Sequence, residues 1–279
     1  MTGLGRSHGA ITLINAMPCG IGATAGIQLF TEATFNAGGR KKTVTIGSDP
    51  GECPDMARIC VAETYQFLGL MEPTGWELTT ESNIPVSRGL KSSSSACNAI
   101  IQAVLAEENQ DLDEIGLIRL GVRCARLAKV TVTGSFDDAC GCQLGGIAVT
   151  DNRRDEILAR ADLDRDYDVV LYIPSRKIRK TGLPLDALHA LASQIEPLAR
   201  EAVTDPWGTM TANGRLVSAA SQVDNSVAEM ALLHGALGAG MSGSGPAVAM
   251  VFPLGKGQQF IDESGLTDTI LTATRRAGT

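Results

Sequence analysis

The chain of 279 residues is 44 % hydrophobic, 20 % charged and 4 % aromatic, which excludes wholesale disorder and implies an aliphatic, alanine-rich core. A formal net charge of −7 excludes the strongly basic face that a nucleic-acid binder usually shows. An anionic ligand therefore has to be held by a local site and not drawn in by the global field.

Alternating patterns rich in Thr, Ile and Phe predict half-buried strands at residues 10–15 and 25–35. Gly38-Gly39 turns the chain into a short strand at 43–46. Cys53-Pro54-Asp55 opens a helix, with Met56, Ile59, Cys60 and Phe67 along one side. A strand at 76–80 leads through 84–95 into an Ala/Ile/Leu-rich helix ending near residue 108, and a second helix spans about 113–127. A short strand is expected at 130–133, then a polar, glycine-containing passage at 134–146 and a strand at 147–150. Charge density rises sharply over 152–168, the best candidate for a boundary between an N-terminal domain, 1–155, and a C-terminal domain, 156–279. Beyond it follow a strand at 169–173, helices near 185–202, 206–221 and 226–236, a buried strand at 247–252 and a helix near the C-terminus. Strands come first and helices are grouped after them, which indicates an α+β fold in two parts.

Two uncharged stretches, 9–31 and 230–255, need checking as membrane or targeting segments. Asn15, Pro18, Gly20 and Gly22 interrupt the first, and Gly235, Gly238, Gly240, Gly243, Gly245 and Pro246 the second. Neither offers the apolar run of a spanning helix or a signal peptide, and both read as loops that bend and approach something closely. Seven cysteines, an odd number in a chain too long to need staples, suit a reducing cytoplasm. Cys140 and Cys142 form C-x-C, but His8, His189 and His234 lie far away in sequence, so the thiols read as small buried residues.

The strongest signal is Pro85-Val86-Ser87-Arg88-Gly89-Leu90-Lys91-Ser92-Ser93-Ser94-Ser95. A glycine that permits a left-handed turn precedes a row of hydroxyls at the opening of a helix. Unpaired amides there, with the helix dipole, form an anion site before any side chain contributes. Serine hydroxyls add donors for phosphate oxygens and a ligand for Mg²⁺, and Lys91 adds a cation. The loop is not a Walker A motif: Leu90 separates Gly89 from Lys91, and Ile84 stands where the upstream glycine is required.

A second glycine motif, Gly238-Ala239-Gly240-Met241-Ser242-Gly243-Ser244-Gly245-Pro246, runs straight into an apolar strand. Ordering that many glycines costs backbone entropy, which a fold accepts where a ligand or another backbone must come close. Between the two loops lies Thr133-Gly134-Ser135-Phe136-Asp137-Asp138-Ala139. Adjacent carboxylates in such a turn are commonly solvated or capping. In a phosphate site they divide the work, one accepting a hydroxyl proton and the other holding the metal.

Taken in order, these segments resemble the GHMP kinase superfamily, which includes galactokinase, homoserine kinase and mevalonate kinase. Residues 85–96 look like its P-x-x-R-G-L-G-S-S-A phosphate loop, with Lys91 where a glycine is usual, and Met241 to Pro246 look like its C-terminal S-G-S-G-P loop. Residues 15–26 sit where its N-terminal motif lies, without the usual polar signature. Lys91, the T-G-S-F-D-D-A segment and the run Ala16 to Ile27 are similar to the archaeal type of shikimate kinase. The resemblance implies a two-domain α+β fold with ATP in the inter-domain cleft, and Mg²⁺-dependent transfer of the γ-phosphoryl group to the 3-hydroxyl of shikimate. It implies that residues 85–95 with Gly243, Ser244 and Gly245 hold the nucleotide phosphates, that Ser93 ligates Mg²⁺, and that Asp137 or Asp138 deprotonates the acceptor. Local sequence favours Asp137, whereas counting back from Gly145-Gly146 favours Asp138, and both stay open. The acidic metal ligand that several members carry before this aspartate is missing, with Arg126 and Lys129 in that region. A carboxylate acceptor also calls for a fixed cation, for which Arg88, Arg176, Lys177, Arg179 and Lys180 are the candidates. Homoserine kinase is the rival within the family, and a non-catalytic nucleotide- or sugar-binding regulator is the rival outside enzyme chemistry.

Overall fold

The computed structural model describes residues 2–174 and 183–279. Its frame is the long strand β2 (Ile21–Asn36), paired antiparallel with β1 (Gly3–Ile14) along its length. β4 (Trp76–Ser82) pairs with the last residues of β2, and β5 (Ile147–Asp151) with the first. β3 (Lys42–Ile46) adds parallel to β4, and β6 (Glu156–Ala161) antiparallel to β5, which completes a six-stranded mixed sheet. A second, antiparallel sheet has the order β10 (Thr269–Ala273), β7 (Tyr167–Tyr172), β9 (Val248–Pro253), β8 (Gly238–Met241). The architecture is α+β, as expected.

Residues 21–27 of β2 are buried on both faces, whereas the rest of the strand alternates. That explains the glycines and alanines of its first half, which leave room for neighbours to approach the backbone. Helix α2 (Ser92–Glu107) packs on β1 and β2 and is buried nearly all round, from Ser94 and Ser95 through Leu105. Around it stand α1 (Asp55–Leu68), α3 (Glu114–Leu127) and α4 (Phe136–Leu144). Local chemistry sets two helix starts: Asp113 accepts from the Gly116 amide ahead of α3, and Asp205 from the Gly208 amide ahead of α7 (Pro206–Ser221). One apolar cluster, from Ile11 and Leu13 through Ile147 to Val169 and Val251, is shared by both sheets. After β10 the chain returns to the first sheet, where the Arg275 amide donates to the Gly26 carbonyl (2.8 Å) and its own carbonyl accepts from Gly146 (2.8 Å).

Several expectations need correction. Residues 9–31 are mostly β1 and β2 and not a loop, because cross-strand pairing outweighs their glycine content. Residues 130–133 form no strand, and the supposed polar passage at 134–146 contains α4, whose Phe136, Ala139, Cys140 and Leu144 are buried. The charged segment contains β6, half-exposed at the sheet edge. Residues 185–202 form two helices, α5 (Leu185–His189) and α6 (Ala192–Glu201). Helix α8 (Ser226–Leu233) is shorter than expected, and Gly238 to Met241 is a strand. Near the C-terminus, α9 (Gly257–Ser264) is followed by β10, which the sequence pattern does not announce. No helix among the described residues is long and apolar enough to cross a membrane. Five of the seven cysteines are buried, as read.

Candidate active site

The loop from Pro85 to Lys91 ends in a left-handed residue, Lys91 (φ 67°), which caps α2 with its backbone and has no side-chain cap. Ser92, Ser93 and Ser94 form the first turn, so their amides have no intrahelical acceptor, and no acidic side chain stands among them. A helix start of this kind is able to bind an anion. Ser95 departs from the expectation. It is fully buried, its amide donates to the Lys91 carbonyl (3.0 Å) and its hydroxyl to the Ser7 carbonyl (2.9 Å), so it serves the α2–β1 contact. Leu90 is likewise a core residue, packed with Ile84. Pro85 and Val86 are half-buried and Ser87 is exposed; these residues lead into the turn and are not among the cleft's lining groups.

The two glycine loops touch directly. Gly89 has φ 84°, and a Cβ there would lie 1.9 Å from the Ser242 carbonyl oxygen. Ser242 Oγ donates to the Gly89 carbonyl (2.9 Å) and accepts from the Thr12 amide (3.2 Å), while the Gly243 amide donates to Thr12 Oγ1 (2.8 Å). Asn15 Nδ2 closes the corner on the Gly243 carbonyl (2.8 Å). Segments more than 200 residues apart in the chain thus meet at one point. Gly89→Ala combines a left-handed backbone with a backbone clash. It should cost at least ~2 kcal/mol in urea unfolding and weaken ATP binding about tenfold by calorimetry.

Beside this junction, Thr12, Asn15, Lys91, Thr133, Ser135, Asp137, Asp138, Gly243 and Ser244 line a cleft enclosing about 400 Å³ of space open to solvent. Lys91 Nζ, 5 % exposed at its side chain, sits 2.6 Å from Asp138 Oδ1. Burial alone would lower the lysine's proton affinity, but Asp138 and Asp137 outweigh it and hold the ammonium charged. Asp138 keeps 23 % side-chain exposure, whereas Asp137 as a residue is only 4 % exposed. Asp137 Oδ1 accepts from Asn152 Nδ2 (2.6 Å), and Oδ2 lies over Gly22, where a Cβ would come within 2.5 Å of it. Burial, then the neighbouring charge of Asp138, pushes Asp137 up to about 6, against the pull of Lys91 and Asn152.

Family profiles for the GHMP kinases N terminal domain and the GHMP kinases C terminal region match residues 56–146 and 187–263. A shikimate kinase of Pyrococcus abyssi is 34 % identical over 252 residues, 88 % of this chain and 90 % of that protein. A shikimate kinase of Pyrococcus furiosus is 33 % identical over 289 residues, spanning 99 % of this chain and 100 % of its own. The chain belongs to the GHMP kinase superfamily. Solved structures agree on the fold of this GHMP kinase. Mevalonate kinase of Methanococcus jannaschii superposes with a TM-score of 0.81 at 16 % identity over 99 % of this chain and 98 % of that one. Homoserine kinase of Cytophaga hutchinsonii gives 0.71 at 15 % identity over 98 % and 95 %. The protein is thus an ATP-dependent small-molecule kinase with the two-domain fold of its superfamily.

In this GHMP kinase the structure brings Lys91, Asp137, Asp138, Gly243 and Ser244 into one cleft; Gly89, Ser92, Ser93 and Ser94 are not in its lining, and Leu90 and Ser95 are buried in the core. The Gly245 amide is already used on the Ser242 carbonyl (2.9 Å) and so shapes the second loop. Arg88 Nη1 donates to the Pro174 carbonyl (2.5 Å), and Arg176, Lys177, Arg179 and Lys180 lie outside the described residues. One oxygen of Asp138 faces the Lys91 ammonium, which neighbours the aspartate pair that the sequence offered for metal binding. Sequence reasoning missed Thr12, Thr133, Ser135 and Asn152. For Asn152 the signal was a polar residue directly after an apolar strand, read instead as the start of a charged boundary.

The raised Asp137 carboxyl has a consequence for stability. Its folded-state affinity for a proton exceeds the unfolded one, so its contribution is complete below about pH 4 and lost as pH rises through about 6. Asp137→Asn should therefore stabilise the fold at pH 8 by up to about 3 kcal/mol, by about half as much at pH 5 and hardly at all at pH 3, as measured by urea unfolding at the three values.

Proposed function

We propose that this kinase transfers the γ-phosphoryl group of ATP to the 3-hydroxyl of shikimate. The observation that carries the chemistry is the pair of buried Lys91 and partly exposed Asp138 in the cleft beside the two glycine loops. The acceptor is supported by the relatives' names and by the extent of both chains they span. The mevalonate and homoserine kinase structures share the fold at an identity too low to speak for their substrates.

In this reading the free amides of Ser92, Ser93 and Ser94, with the backbone of Gly243 and Ser244, hold the nucleotide phosphates. Mg²⁺ is bound through few protein ligands and the phosphates themselves, and the Ser93 hydroxyl, half-buried in the first turn of α2, suits that role. The ion supplies neutralisation of phosphate charge when bound. Among the described residues no group of three or more His, Cys, Asp or Glu stands ready to cage a metal, consistent with a site completed by the nucleotide.

Asp138 is the base. It is the more exposed of the pair, and Lys91 occupies only one of its oxygens, whereas both oxygens of Asp137 are enclosed. Asp138 takes the hydroxyl proton as the acceptor oxygen bonds to the γ-phosphorus and the bond to ADP breaks. Lys91, 2.6 Å from Asp138, offsets charge on the transferring group. Thr133 and Ser135 line the same cleft and offer hydroxyls to a polyol acceptor.

The test is ADP release from Mg-ATP with shikimate, homoserine and mevalonate in parallel. Turnover with shikimate alone is the expected result. Turnover with another acceptor instead would overturn the acceptor and keep the mechanism. ATP binding without turnover of any acceptor would favour the regulator.

A further inference from the structure

We propose that Asn152 is a positioning residue that aims the catalytic aspartate by gripping its neighbour, Asp137. The proposal rests on the phosphoryl-transfer reading above, with Asp138 as base. Asn152 follows β5 and is 2 % exposed. Its Nδ2 donates to Asp137 Oδ1 (2.6 Å) and to Thr133 Oγ1 (3.2 Å). Its Oδ1 accepts from the Asp137 amide (3.0 Å) and from Thr150 Oγ1 (2.9 Å). Its backbone amide donates to the Gly20 carbonyl (2.8 Å), which ties it to the turn between β1 and β2. Every hydrogen-bonding group of the side-chain amide is therefore engaged near the start of α4.

The grip replaces an ordinary helix cap. Ser135, at the cap position of α4, has a left-handed backbone (φ 56°) and no side-chain cap bond; its hydroxyl turns away to Thr131 Oγ1 (2.5 Å). The Asp137 amide, left without a local acceptor, is satisfied by Asn152 from a different element, 15 residues on. The Thr24 hydroxyl holds the Asp137 carbonyl (3.0 Å), and Gly22 admits its Oδ2. Amide, carbonyl and carboxylate of Asp137 are thus all fixed from outside the helix. Asp138, the next residue, inherits that orientation, with its carboxylate directed to Lys91. A side chain meant only to fill space would not need a donor to one group of Asp137 and an acceptor from another. Misdirecting a catalytic group by a fraction of an ångström costs rate more than binding.

The experiment exploits the donor–acceptor sense of the contact. Asn152→Asp is isosteric but sets a carboxylate against Asp137 Oδ1. It should lower kcat about 30-fold or more and leave KM for ATP within about twofold, because the phosphate loops are untouched. The swap Asn152→Asp with Asp137→Asn restores a donor facing an acceptor across the same gap. It should recover kcat to within about fivefold of Asp137→Asn alone. Unchanged kcat in Asn152→Asp would overturn the proposal, as would a parallel rise in KM for ATP, which marks general distortion of the site. A folded swap variant as slow as Asn152→Asp would also overturn it, because the carboxylate would then be needed at position 137 for the chemistry itself. If Asn152→Asp alone does not fold, a swap within about fivefold of an Asp137→Asn variant that itself keeps kcat within about tenfold of wild type supports the proposal, and a slower swap or a slower Asp137→Asn overturns it. Wild-type turnover of a different acceptor would refute the shikimate assignment and leave this test intact with that acceptor. If no acceptor is turned over, there is no base to position and the proposal falls.

Discussion

Asp138→Asn should lower kcat for phosphorylation of shikimate, the proposed acceptor, by about 10³-fold, close to 4 kcal/mol of barrier, while KM for ATP changes little. Asp137→Asn retains activity to within about tenfold. The contrast follows from placement within one turn of helix. Asp138 has 23 % side-chain exposure and one oxygen on the Lys91 ammonium. Asp137 is 4 % exposed, with Oδ1 on Asn152 and Oδ2 over Gly22. An amide at position 137 still accepts from Asn152 through its carbonyl oxygen, so the orientation of α4 survives. An amide at position 138 accepts no proton. Steady-state kinetics of the two variants at pH 8, where Asp137 is ionised in the wild type, provide the measurement. The reverse order of effects would reassign the base to Asp137.

Lys91→Met removes the cation from the same cleft and acts on both rate and fold. The rate falls by 10²- to 10³-fold, the usual scale for losing one fixed charge at a transition state. Stability falls by about 3 kcal/mol, because Asp138 and Asp137 are left as neighbouring carboxylates without their counter-ion. That value is the low end for a broken buried pair, since Asp138 retains access to water. Urea unfolding of Lys91→Met, of Asp138→Asn and of the double variant separates the two effects. If the ion pair carries the loss, Asp138→Asn in the Lys91→Met background regains stability. If packing carries it, the double variant is no better than Lys91→Met.

Much of the site was legible in the chain. Gly89 before a row of serines, and the glycines from Gly238 to Gly245, announced backbone made to approach closely, and both meet at the Ser242–Gly89 contact. Asp137 and Asp138 were visible as a pair beside them. Ser95 reads as one more loop hydroxyl because its partner, the carbonyl of Ser7, lies 88 residues away. Helix α4 reads as a polar passage because its short sequence holds two aspartates and a glycine, and its apolar side is recognisable only against α3 and β5.

Local chemistry determined the elements and the kind of ligand: Asp113 and Asp205 cap their helices, Pro206 begins one, and the serine turn offers amides to an anion. Those features act within a few residues, so they stand in the sequence as neighbours. The tertiary structure decided the different surroundings of two adjacent aspartates. Composition treats Asp137 and Asp138 alike, and so does their place in one helical turn. They differ only because Asn152 and Gly22 enclose one, while Lys91 and the open cleft face the other. Burial and charge proximity act through space, and Gly22, Lys91 and Asn152, which supply them here, come from three separate stretches of the chain.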